Sequence, residues 1–221
     1  MQAIKRSYVD LVQATGRSNI VQRFFQSARG APQFGYKRWL ASLFAIYDTE
    51  NMVALDLPWW NVEATREVEL FLSNRPGAKV FETGAGASTV WLSRRAAQVV
   101  SVEHDEAWHG RFLKMINGIS NIDLRFRSLG NAGQDDSYVS SIDESMTTYD
   151  LIVVDGRHRV ACLQRAIEHL APDGLILFDD SGRSRYRGGI ERCGLAERRH
   201  FGRSFCVPYP DYTSLLHRGA M

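Results

Sequence analysis

The sequence predicts an α/β chain: a doubly wound, mostly parallel seven-stranded sheet with an antiparallel last strand and an N-terminal helical layer. Three observations predict it. Residues 79–103 (KVFETGAGASTVWLSRRAAQVVSVE) read as strand, glycine turn, helix and second strand, the second strand ending in Glu103. The runs 149–155 (YDLIVVD) and 175–178 (LILF) are continuously apolar, as strands covered on both faces are. The tail alternates over 199–207 and 212–217, so two antiparallel strands joined across Pro208-Tyr209-Pro210-Asp211 are expected to close the sheet.

Composition bounds the rest. At 221 residues and 44% hydrophobic content the chain can bury one sizeable core with an appendage. A formal net charge of +2 is close to neutral, and neither requires nor excludes a nucleic acid. Cys162, Cys193 and Cys206 form no C-x-x-C and no metal-ligand spacing, so they read as reduced structural thiols. No apolar stretch approaches the roughly 18 residues of a membrane span, and MQAIKRSYVDLVQ has no secretory apolar core. The expected location is the cytoplasm, without a membrane partner.

Residues 1–55 do not have the pattern of the sheet. Ile4, Tyr8, Leu11 and Val12 recur at helical spacing, as do Ile20, Val21, Phe24 and Phe25, and then Trp39, Leu40, Leu43, Phe44 and Tyr47. Three amphipathic helices are expected, with the break near Gly30, Pro32 and Gly35. This region is assigned as a lid or an oligomer contact, including a homodimer contact, and 56–221 as the second domain. Trp59 and Trp60 precede a helix over 62–73; they can pack in the core or stack on a ring.

The later elements follow in order. Asp105 can cap a helix ending before Gly118, and 122–126 alternates as a third strand. Residues 128–148 are polar and turn-rich, consistent with a loop holding a short helix. A helix over 160–170 then leads through Pro172-Asp173-Gly174 into the fifth strand, which ends in Asp179-Asp180.

The glycine turn decides the ligand class by what it lacks. A dinucleotide fingerprint needs G-x-G-x-x-G, and here the third glycine position is Thr89. The segment E-x-G-x-G-x-S-T with Glu103 about twenty residues on resembles the first two motifs of the class I S-adenosylmethionine-dependent methyltransferases. V-V-D-G-x-H and P-D-G-L-I-L-F-D-D strengthen the likeness, and resemble the small-molecule, O-methyltransferase-like branch with D-G-x-H after strand four. The resemblance implies a Rossmann-like fold, S-adenosylmethionine as cofactor, and a small-molecule acceptor methylated on oxygen. It also implies a cofactor site drawn from Glu82, Thr83, Gly84, Ala85, Gly86, Ser88, Thr89, Glu103 and His104, with Glu103 on the ribose. Two other classes share the β-α-β unit: a non-catalytic cofactor- or protein-binding member, and a nicotinamide-dependent oxidoreductase, which the missing third glycine disfavours.

Acceptor activation has two sequence candidates. Asp155, Asp179 and Asp180 end neighbouring strands, and hard ions such as Mg²⁺ prefer carboxylate oxygens, although the family's usual Asn is absent at Asp180. Asp155 and His158 are the catalytic candidates, His158 offering a base that needs no ion. Arg183, Arg185 and Arg187 flank Tyr186 and can be a solvated face or an anchor for an anionic substrate. Nucleic acid is disfavoured as a partner, because the position of an N/D-P-P-Y/F motif reads D-G-R-H.

Overall fold

The computed structural model describes residues 18–130 and 136–219. The helix expected around Ile4 to Val12 lies outside them. Strands β1 (Lys79–Thr83), β2 (Gln98–Glu103), β3 (Ile122–Phe126), β4 (Tyr149–Val154), β5 (Leu170–Asp179), β6 (Ala196–Gly202) and β7 (Asp211–His217) form one sheet. Their order is β3-β2-β1-β4-β5-β7-β6. Only β7 runs against the others.

Alternation along β1, β4 and β5 builds two cores. Phe81, Ile152, Val154, Ile176 and Phe178 point into one, while Val80, Leu151, Val153, Leu175 and Leu177 point into the other. All four residues 151–154 are fully buried, worth on the order of 6–12 kcal/mol of hydrophobic stabilisation before conformational entropy opposes it. Helices α4 (Val62–Ser73) and α5 (Ala87–Ser93) cover the second face, while α7 (Arg159–Glu168) and α8 (Ser184–Glu191) cover the first. Helix α6 (Glu106–Met115) is capped by Asp105, whose side chain accepts from the Trp108 N–H.

The helical layer comprises α1 (Asn19–Arg29), α2 (Tyr36–Leu43) and a short α3 (Thr49–Ala54) capped by Asp48. The sequence pattern did not mark α3. Phe25, Ala41, Ile46 and Leu57 of this layer share a third core with Phe205 and Cys206 from the β6–β7 connection. That packing corrects the strand expected over 199–207. Strand β6 ends at Gly202, because Phe205 and Cys206 turn away from the ladder and are fully buried under the helices. The turn expected at Pro172-Asp173-Gly174 is a bulge within β5: pairing jumps from Tyr149 with Leu170 to Leu151 with Leu175. The three cysteines are free, and no described helix is long and apolar enough to cross a membrane.

Strands β2 and β3 continue to one side of β1 while β4 begins on the other, so a crevice opens beyond the carboxyl ends of β1 and β4. The two exit loops touch there. A Cβ on Gly84, whose φ is +93°, would lie 2.9 Å from Gly156 Cα, and one on Gly156 would lie 1.8 Å from Tyr138 Oη. Only glycine fits at both.

Candidate functional site

A cavity of about 990 Å³ fills this crevice, bordered by Gly84, Ala85, Glu103, His104 and the segment 155–161. Glu103 is set at the tip of β2. Its Oε1 accepts from the His104 and Asp105 N–H groups at 2.7 and 2.8 Å, and no hydrogen bond to Oε2 occurs among the described residues. One carboxylate oxygen is therefore fixed and the other is available to a ligand's hydroxyls. Gly86 is extended, with φ −177°, and a Cβ added there meets no protein atom within 4 Å. Open space above the glycine turn, beside an available acceptor oxygen, fits a nucleoside cofactor.

Glu82, Ser88 and Thr89 occupy a different place from the one expected of cofactor contacts. Glu82 is fully buried beneath the turn and accepts from Ser88 Oγ (2.5 Å), Thr89 Oγ1 (2.5 Å) and Ser101 Oγ (2.7 Å). Thr89 Oγ1 in turn accepts from the Gly86 N–H at 3.0 Å. These side chains hold the turn's shape from below. Thr83 is also buried, its hydroxyl donating to the Val153 carbonyl. Burial pushes the Glu82 carboxyl up to about 7, against the pull of its three hydroxyl donors.

A second cavity of about 300 Å³ adjoins the first, and Asp155, Arg159 and Arg183 border both. Arg159, the first residue of α7, stands among the strand-end carboxylates. It donates to Asp155 Oδ1 (2.9 Å), lies 3.2 Å from Asp180 Oδ2 and 3.8 Å from Asp179 Oδ2, and donates to the Asp179 carbonyl (2.5 Å). Asp155 Oδ2 accepts from Trp60 Nε1 at 3.1 Å, Asp179 Oδ1 from Thr213 Oγ1 at 2.6 Å, and Asp180 Oδ2 lies 2.7 Å from Arg183.

This arrangement corrects the metal expectation. Asp155, Asp179 and Asp180 do converge, but a guanidinium already stands where their charges meet, and the residues do not fit a divalent ion. Among the described residues no cluster of His, Cys, Asp and Glu has the geometry to hold a metal. Even with Arg159 present, burial holds Asp155 up at about 6 and Asp179 well above the usual carboxylate range, neighbouring carboxylates adding to the effect.

His158 does not join this set. Its backbone is left-handed (φ 48°), and Nε2 lies 3.5 Å from Asp136 Oδ2, in the connection after β3. Arg183 and Arg185 border the larger cavity, whereas Arg187 is turned away to Glu197 at 2.7 Å. The tryptophan pair divides: Trp60 is core, edge-on to Trp91, and Trp59 borders the smaller cavity.

Residues 81–181 match the family model described as a methyltransferase domain. The matched segment runs from β1 to just past β5 and is less than half of this chain. The chain's enzyme class is that of the S-adenosylmethionine-dependent methyltransferases. Solved structures share the fold. A methyltransferase-like protein from Silicibacter pomeroyi is 22% identical, with 72% of this chain and 87% of that one covered at a TM-score of 0.50. An rRNA methylase from Streptococcus thermophilus is 12% identical over 70% and 96%, with a TM-score of 0.52. A putative methyltransferase from Streptococcus mutans, in complex with SAH, is 10% identical over 69% and 96%, with a TM-score of 0.50. No curated protein sequence gives a significant match.

Residues the sequence pattern does not mark also stand at the two cavities: Arg159, Ser204 and Asp211 border them, while Asp136 and Tyr138 lie against His158 and Gly156. Arg159 was the most accessible of these, being one residue past D-G-R-H and preceding two strand-end aspartates on the next strand. The others come from distant connections that only the tertiary fold brings to the crevice.

Proposed function

We propose that the enzyme transfers a methyl group from S-adenosylmethionine to a small-molecule acceptor seated in the smaller cavity, with Asp155 taking the acceptor's proton. The observation that carries this reading is the position of Asp155 on the border of both cavities. The cofactor supplies a methyl carbon made electrophilic by a positively charged sulfur. On this reading Glu103 Oε2 receives the ribose hydroxyls, and the Gly84-Ala85-Gly86 turn lies against the amino-acid end. His158 borders the nucleoside end of the large cavity, with Asp136 behind it.

The two remaining tasks fall to the acceptor side. Alignment of the nucleophile with the methyl can contribute about 7–11 kcal/mol, and general-base help about 10²–10⁴-fold. Asp155 is suited to the second task, since a carboxylate held at about 6 is ionised at neutral pH yet more basic than an exposed one. Arg159 and Trp60 fix its orientation, as positioning residues. A cavity of about 300 Å³ suits one small group.

Calorimetry with S-adenosylmethionine, SAH and NAD tests the cofactor assignment. SAH should bind and NAD should not; Glu103→Ala should weaken SAH about tenfold to a hundredfold, from lost charge-assisted hydrogen bonds. Binding of NAD alone, or unchanged SAH affinity in the variant, would place the site elsewhere. Asp155→Asn should keep SAH affinity while turnover falls about 10²–10⁴-fold; normal turnover would remove Asp155 from the chemistry.

A further inference from the structure

The smaller cavity is bordered by more acids than bases. Asp155, Asp179, Asp180 and Asp211 border it against two cations, Arg159 and Arg183. Arg159 is shared among three of the carboxylates and Arg183 is paired with Asp180. Asp211 makes no ion pair among the described residues; burial and the nearby Asp180 carboxylate work against its charge, with Arg183 and the Tyr212 N–H working for it. A second observation is independent of these acids. Ser204 borders the same cavity, is 4% exposed, and its buried hydroxyl has no hydrogen-bond partner among the described residues. A buried polar group left unpaired is costly, so a ligand that bonds to it recovers that cost. Trp59 and Tyr209 complete the wall with aromatic surface, which favours a cation over an anion.

We infer that the acceptor is a small cationic amine, its ammonium drawn by Asp211 and the neighbouring carboxylates, and that the methyl is placed on nitrogen rather than oxygen. The inference rests on the methyltransferase reading above and names the substrate class for that same site. An anionic acceptor would meet the acids, and an alcohol would leave their charge unanswered.

The step balances without a further reagent. The bound ammonium gives one proton to Asp155 and becomes a neutral amine with a free lone pair. The nitrogen attacks the methyl carbon in line with the carbon–sulfur bond. A carbon–nitrogen bond forms as the carbon–sulfur bond breaks, sulfur keeps the bonding pair and leaves uncharged, and the product is the N-methylated ammonium. Asp155 then releases its proton to solvent.

Three probes of matched shape test this: phenethylamine, 2-phenylethanol and phenylacetate, each titrated into protein saturated with SAH. The amine should bind at least about tenfold more tightly than either of the others, and Asp211→Asn and Ser204→Ala should each lower its affinity about threefold to tenfold. SAH affinity should stay within about twofold in both variants, since neither residue borders the larger cavity. With S-adenosylmethionine, mass spectrometry should find the new methyl on nitrogen. Equal or tighter binding of the alcohol or the carboxylate, or no preference for the amine, overturns the inference while leaving the cofactor site standing. Failure of wild-type protein to bind SAH instead sinks the methyltransferase site itself.

Discussion

Glu82 acts on the cofactor turn from underneath, through hydroxyls, and that makes its charge a stability matter. Its carboxyl sits at about 7 in the fold against an ordinary value of 4.5. Folding therefore favours the protonated form: the contribution of Glu82 to stability is greatest below pH 4.5, declines as pH rises toward 7, and is lost above it. The loss is bounded at about 3 kcal/mol by the size of that shift. Glu82→Gln should flatten this decline, seen as a smaller drop in melting temperature between pH 5 and 8 than in wild type; an identical drop would mean that Glu82 is ionised without strain. Gly86 separates binding from folding more cleanly. Because an added Cβ meets no protein atom, Gly86→Ala should keep the melting temperature within about 2 °C while SAH affinity falls about tenfold or more. Gly84→Ala cannot serve, since its left-handed backbone and the contact with Gly156 would destabilise the fold itself. The sequence revealed where Glu103 and the glycines lie, because type and spacing are enough for a turn and a strand tip. It could not reveal that Glu82 faces down, which depends on Ser101 arriving from the adjacent strand.

Helix α7 delivers Arg159 to the ends of β4 and β5, and this one placement decides between a metal centre and a guanidinium centre. Removing it leaves three buried carboxylates without their shared partner, which typically costs about 3–5 kcal/mol. Arg159→Ala should therefore melt several degrees lower, and millimolar Mg²⁺ should recover part of the loss by taking the guanidinium's place. Wild-type melting should be indifferent to Mg²⁺ and to chelator. A chelator-sensitive wild type would restore the metal reading. The strands themselves were legible to within a residue or two over β1 to β4, since their runs are bounded by glycine, proline or acid. Strand β6 was not, because the apolar Phe205-Cys206-Val207 alternates acceptably as a strand, and only the third core shows it to be a plug under the helices. The carboxylate convergence was likewise legible from two strand ends, whereas its occupant belongs to a helix whose first residue no strand pattern marks.

Across the whole molecule, the helical layer is hydrogen-bonded to the wall of the smaller cavity, while α3 also packs beside the glycine turn through Val53 and Ala85. Trp39 Nε1 donates to the Ser204 carbonyl at 2.8 Å, and Ser42 Oγ accepts from the Cys206 N–H at 3.0 Å. Both tethers reach the β6–β7 connection that supplies Ser204, Val207 and Tyr209 to the smaller cavity. Asp56, just after α3, adds ion pairs of 2.7 Å to Arg94 and Arg95 at the end of α5. The sequence marked this layer as separate because its periodicity is helical, and could not mark what it holds, since the tethers join residues 164 and 165 positions apart. Of the lid and subunit roles, these contacts support a third on our reading: a fixed support that sets the shape of the acceptor wall. Trp39→Phe tests it, removing one hydrogen bond while keeping most of the ring. The loss of about 0.5–1.5 kcal/mol should lower the melting temperature by a few degrees. If the tether shapes the acceptor wall, phenethylamine affinity in SAH-saturated protein should fall about twofold to tenfold, with SAH affinity unchanged. A fall in SAH affinity of the same size would mean that the layer supports the whole crevice, and an unchanged amine affinity would reduce it to packing.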